Sequence, residues 1–154
     1  MKIVRHGCFE TNSSSAHSVT ISDEGLDFDT IIDWKDTGQY VVELEDYEFG
    51  WEIEDYTDPQ TKLAYLITDV NYCKEELKER LHRLISEVFL EHTGLNLVVE
   101  ASGSDYGNYI DHQSVGVAVE AIRENGDSDE QIKSNIKNFV FNRESVLHTD
   151  NDNH

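Results

Sequence analysis

The residue pattern points to an α+β fold: a single domain with a mixed or mainly antiparallel sheet and about three helices. Three features lead there. Apolar residues recur at helical spacing in two long segments, Leu63 to Val70 and Leu77 to Val88. Short runs rich in β-branched residues flank these segments on both sides. A chain of 154 residues with 38% hydrophobic content has room for one core and hides roughly 70% of its extended surface. The domain is expected over residues 1–149, with 150–154 as a polar tail.

Lys2-Ile3-Val4-Arg5 reads as a first strand and His17-Ser18-Val19-Thr20-Ile21 as a second. Between them runs Gly7-Cys8-Phe9-Glu10-Thr11-Asn12-Ser13-Ser14-Ser15-Ala16, dense in hydroxyls and amides. If the two strands pair, this run sits at the end of the sheet with backbone amides available to an anion. The same text reads equally as an oversized hairpin turn, because Ser and Asn bond their own backbone.

From Asp23 to Asp58 the chain carries fourteen acidic residues against Lys35 as its only base. Aromatic and β-branched residues interleave with them, among them Phe28, Trp34, Tyr40, Val42, Tyr47 and Trp51. That mixture predicts an ordered segment with an anionic outer face, since disordered acidic tails lack such residues. The formal net charge of −20 argues against direct binding of nucleic acid over a broad face, because a phosphate backbone would be repelled. It favours basic partners.

Asp58-Pro59 opens a helix, with Asp as cap and Pro where its missing amide costs nothing, and Leu63, Leu66, Ile67 and Val70 share one face. A second helix is expected from Lys74 to His92, with Leu77, Leu81, Leu84, Ile85 and Val88 as its stripe and Gly94 as its stop. His82 and His92 are read as cations suited to the carboxyl end of that helix, and Cys73 as a small buried apolar side chain. Leu95 to Glu100 is expected to be a central strand. Val115 to Ile122 is open between strand, for its alternating valines, and helix, for Ala118, Glu120 and Ala121. Ser128 and Gln131 form a capping box for a helix with the stripe Ile132, Ile136, Phe139 and Val140. Val146 to Thr149 reads as a last strand.

Two cysteines, Cys8 and Cys73, make neither a disulfide framework nor a zinc knuckle. No charged-then-apolar leader opens the chain, and no apolar run approaches the roughly 18 residues of a membrane span. The expected location is the cytoplasm, with no membrane partner.

The candidate chemistry lies in two polar segments. The second, Ala101 to Ser114, follows a strand and holds Asp111, His112, Gln113 and Ser114. Candidate catalytic residues are His17, Asp111, His112 and Glu10, with one histidine as general base oriented by a carboxylate. Candidate ligand-binding residues are Asn12, Ser13, Ser14, Ser15, Ser18, Gln113 and Ser114, which would hold an anionic or carbonyl oxygen. A divalent metal fits through His17, His112 and a carboxylate, although no ligand spacing selects one. A buried histidine satisfied by backbone groups is the competing reading for His112, and a Ser/Asn-rich capping loop is the competing reading for the first segment.

The text Phe9-Glu10-Thr11-Asn12-Ser13-Ser14-Ser15 followed by His17-Ser18 resembles the opening of a family of uncharacterised proteins found in phages and bacteria. Phe49-Gly50-Trp51-Glu52, Thr61-Lys62-Leu63-Ala64-Tyr65-Leu66, Tyr109-Ile110-Asp111-His112-Gln113-Ser114 and Phe139 to Asn142 with Ser145 resemble later pieces of the same family. The resemblance implies a phage or bacterial origin, hence the cytoplasm of a bacterial host, and implies no reaction. Two classes of function follow from the residues. One is a small enzyme-like or ligand-binding domain with a Ser/Asn/His/Asp pocket, such as a hydrolase of a phosphate- or carbonyl-containing small molecule. The other is an acidic inhibitor of a basic host protein, or a nucleic-acid mimic, acting through the Asp23 to Asp58 face.

Overall fold

The computed structural model describes residues 2–6, 17–23, 38–50, 52–100, 109–111 and 114–150, and only the backbone of 2–6 and 109. Strands β1 (Lys2–His6) and β2 (Ser18–Ser22) are antiparallel neighbours, with Lys2 opposite Ser22 and His6 opposite Ser18. The first polar run therefore spans a hairpin. Two further antiparallel strands, β5 (Glu54–Tyr56) and β8 (Val146–Thr149), complete a sheet of order β1-β2-β8-β5. Two short parallel pairs stand apart from it: β3 (Gln39–Glu43) with β6 (Asn96–Glu100), and β4 (Glu48–Phe49) with β7 (Tyr109–Ile110). The fold is thus mixed α+β, with three long helices and one short one among the described residues.

Helix α1 (Pro59–Asn71) starts as its sequence dictates: the Asp58 side chain accepts from the Thr61 N–H at 2.9 Å and Pro59 occupies the first turn. Its apolar stripe is buried, but so are Lys62, Ala64, Tyr65, Thr68 and Asp69, so protein surrounds it on all sides. Each polar group on it consequently has a specific duty. Helix α2 (Glu75–Thr93) buries Leu81, Leu84, Ile85, Val88 and Phe89 and stops at Gly94, whose φ of 76° is a left-handed conformation that suits glycine.

Residues 115–122, open from sequence, resolve as helix α3 (Val117–Ile122). Its amino end is capped from a distance: Asp69 on α1 accepts from the N–H groups of Gly116 and of Val119, the latter at 2.9 Å. Helix α4 (Asp129–Phe141) makes half of the expected capping box, Ser128 Oγ accepting from Gln131 N–H at 3.2 Å, while the Gln131 side chain turns to Asn135. Ile132, Ile136, Phe139 and Val140 all enter the core.

Two expectations need correction. The strand over 96–100 is not central: it pairs only with β3 among the described strands, and its residues range from half-buried to exposed. The 95–100 run is apolar because one face covers α2, where Tyr40 of β3 packs on Phe89 at 5.4 Å between ring centroids. His82 lies in mid-helix, not at the carboxyl end, and burial lowers its pKa, so its imidazole bonds Asn71 Oδ1 at 2.8 Å without serving the dipole. His92 does sit in the last turn, its ring over Phe141. Cys73, expected to be buried, is only half-buried against the core, and desolvation raises its thiol pKa.

A second buried polar knot ties α1 to the end of α4. Lys62 Nζ, wholly enclosed, donates to the carbonyls of Asn142 at 2.8 Å and Ser145 at 3.0 Å. Asn142 and Ser145 in turn bond Ser22 of β2, through Asn142 Nδ2 to Ser22 O at 2.7 Å and Ser22 N–H to Ser145 Oγ at 2.9 Å. The knot fixes α1, β2 and β8 as one unit.

Candidate functional site

The two polar segments meet at their carboxyl ends. The His17 backbone N–H donates to Ser114 Oγ at 3.3 Å, across 97 positions of sequence, and both residues are fully buried. Asp111, also buried, stands close enough that its charge acts on the His17 ring. What brings Asp111 and Ser114 there is the β4–β7 pair: Asp111 N–H donates to Phe49 O at 2.9 Å, and Ser114 N–H closes a turn on Asp111 O at 2.8 Å. Strand β2 begins with the buried Ser18, opposite His148 of β8, and holds His17 just before its first residue.

The ring of His17 has both nitrogens engaged. Nε2 is 2.8 Å from the Gly50 carbonyl, which can only accept, so Nε2 carries the proton. Nδ1, 3.1 Å from Tyr65 Oη, then accepts from the phenol. Burial holds the Tyr65 pKa well above its usual value, so that O–H is a permanent donor. Burial also lowers the His17 pKa, against the opposing pull of the Gly50 carbonyl and the nearby carboxylates of Glu52 and Asp111. The imidazole is accordingly neutral, in one tautomer, and locked.

Glu52 adds an acceptor to this centre. Its Oε2 accepts from Gly50 N–H at 3.2 Å, and its Oε1 is buried with no hydrogen-bond partner. On the solvent side of the same sheet, His148 Nδ1 lies 2.6 Å from Asp55 Oδ1 and Nε2 lies 3.4 Å from Asp150 Oδ2. Partial burial lowers the His148 pKa, but the two carboxylates outweigh it and the net direction is upward. The two histidines are thus shifted in opposite directions, His17 down by burial and His148 up by its carboxylate partners.

Of the residues singled out from sequence, His17, Ser18, Asp111 and Ser114 are described, and His17, Asp111 and Ser114 come together. Glu10, Asn12, Ser13, Ser14, Ser15, His112 and Gln113 lie outside the described residues. Sequence reasoning missed Tyr65, Gly50 and Glu52. A tyrosine inside an apolar helical run was the available signal for the first, since a buried phenol needs a partner. All three also lie within text that carried the family resemblance, the segments at 49–52 and 61–66. Among the described residues no group of three or more His, Cys, Asp or Glu side chains stands together in a way that could hold a metal ion. No described helix is long and apolar enough to cross a membrane.

Comparisons with protein-family models, with curated proteins and with solved structures found no match to this chain.

Proposed function

We propose that the chain is a small ligand-binding domain of enzyme-like build, working in the cytoplasm of a bacterial host on a phosphate- or carbonyl-containing small molecule. The observation that carries this reading is the bond from His17 N–H to Ser114 Oγ, which holds the ends of two hydrophilic segments in one place. A sheet-end turn alone would not need a partner 97 residues away.

In this reading His17 is a positioning residue. Its locked neutral ring has no lone pair to offer, so acid–base work falls to His112, the chain neighbour of Asp111. Asn12, Ser13, Ser14, Ser15 and Gln113 supply donors to an oxyanion, and Glu10 and Asp111 supply the carboxylates. The step proposed is transfer of an acyl or phosphoryl group to water, with His112 taking the proton of the attacking water and returning it to the leaving oxygen.

The test is a panel of p-nitrophenyl phosphate, bis-p-nitrophenyl phosphate and p-nitrophenyl acetate, together with thermal-shift screening of phosphate, carboxylate and nucleotide ligands with and without divalent metals. The expected pattern is that His112→Gln removes turnover or ligand-induced stabilisation while its melting temperature stays at the parent value. Loss of melting temperature in His112→Gln equal to that in His17→Gln, or a panel with no turnover and no stabilisation, would overturn the proposal.

A further inference from the structure

Among the described residues the β3–β6 pair has a helix over one face only, whereas parallel strands are normally covered on both faces by helices. In-register neighbours on parallel strands point the same way, so Tyr40, Val42 and Leu97 pack on the core side against α2, with Val99 at the 36% exposed end of that side, while Val41, Val98, Glu43 and Glu100 share the outer side. Val41 is 43% exposed at the centre of that outer face, opposite half-buried Val98. One step along, Glu43 and Glu100 sit side by side, both exposed, a like-charge pairing that costs stability on a sheet.

Along the described stretch around β3 the charges all have the same sign. Residues 38–58 contain eight carboxylates and no Lys or Arg. Glu45, Asp46 and Glu48 follow β3 directly, and all three are exposed. Among the described residues, Arg80 pairs with Asp127 and Asp129, Arg83 with Glu87 and Asp129, and Lys133 with Glu87 and Glu91, all on the α2–α4 side. Among the described residues none of Glu43, Glu45, Asp46, Glu48 or Glu100 holds an ion pair.

The geometry points to the outer face of β3–β6 as a docking surface for a basic amphipathic helix of another protein, its apolar stripe on Val41 and Val98 and its Lys or Arg side chains over Glu43, Glu100 and the acidic turn after β3. A helix is the form that covers parallel sheets in general, and the charge of this face selects a basic one. The inference stands apart from the polar centre around His17 and needs no ligand there.

The experiment titrates the full-length, isotope-labelled chain with a Leu/Lys amphipathic peptide of about 18 residues, Leu at i, i+3, i+4 and i+7, followed by NMR and by fluorescence anisotropy. Saturable binding is expected, with shifts at Gln39–Glu43 and Asn96–Glu100. Val41→Ser, and the double change Glu43→Gln with Glu100→Gln, should each weaken it roughly tenfold with the circular dichroism spectrum intact, as expected for the centre of a docking face. Tyr72→Ser, at an exposed apolar residue in the turn between α1 and α2, should leave binding unchanged. Equal binding of a scrambled peptide of the same composition would overturn the proposal by showing diffuse charge attraction. Shifts confined to α2 and α4, absence of binding, or a concentration-dependent dimer that Val41→Ser abolishes would overturn it as well.

Discussion

Replacing Asp69 with asparagine removes the charge on which the amino end of α3 is seated. In the fold this carboxyl is buried and accepts from the N–H groups of Gly116, Ala118 and Val119. Burial raises its pKa from 3.8 to about 6, because desolvation of the charge outweighs the three donors that favour it. The folded protein therefore binds a proton between these values that the unfolded chain releases. At about 1.36 kcal/mol per pH unit, this group adds about 3 kcal/mol of stability as pH falls from above 6 to below 3.8. Asparagine cannot titrate and loses that slope. It also turns an N–H2 toward a backbone donor, so Asp69→Asn should be less stable at pH 7.5 by about 1–3 kcal/mol. Urea unfolding of both proteins between pH 4.5 and 7.5 gives the difference, which should widen toward acid. His17 acts the other way: its lowered pKa contributes stability above its ordinary value of 6.5 that is lost as pH falls below it. That contribution is common to both proteins and cancels in the difference. Stability curves that stay parallel over this range would refute the reasoning.

Three more outcomes are expected. Tyr65→Phe leaves His17 Nδ1 buried without its donor and should cost about 1–2 kcal/mol in a denaturant titration; a loss under about 0.3 kcal/mol would show that the bond does not form in solution. Lys62→Met strips the Asn142 and Ser145 carbonyls of a charged donor and should cost about 2–4 kcal/mol, seen as a lower urea midpoint; an unchanged or higher midpoint would mean that burying the ammonium costs as much as its bonds return. His148, with a raised pKa, contributes stability that is present below 6.5 and lost as pH rises through its folded value, so His148→Asn should lower the melting temperature at pH 5.5 and have little effect at pH 8.5. The side chain is about one-third exposed, which limits the effect to about 0.5 kcal/mol; a larger loss at pH 8.5 than at pH 5.5 would reverse the sign of the argument.

Helix α1 shows where the sequence was legible and where it was not. Its cap, its proline and its Leu63, Leu66, Ile67 and Val70 stripe are local signals, and each appears where the residues place it. That Lys62, Tyr65 and Asp69 are also buried was not legible, because their partners lie 47 to 83 residues away and polar side chains on a helix ordinarily mark its wet side. The same reason explains α3: a six-residue helix capped by a carboxylate from another helix carries no cap of its own in the text. The strand at 96–100 was legible as a strand, but its partner β3 and the parallel sense of their pairing depend on the whole path between them. At the candidate site, the convergence of His17 with Asp111 and Ser114 follows from residue types that attract attention singly. The role of His17 follows only from what its two nitrogens touch.

Strand β8 is made late in the chain yet lies inside the antiparallel sheet, between β2 and β5. During synthesis, β1 and β2 can zip together early, but β2 keeps a bare edge, and β5 has no neighbour in that sheet, until residues 146–149 leave the ribosome. Until then the nascent hairpin exposes an open ladder to any passing strand. Final assembly of that sheet must therefore wait for residues 146–149, and a stop codon a few positions before Val146 would leave the sheet split in two and the Lys62 ammonium without the Ser145 carbonyl.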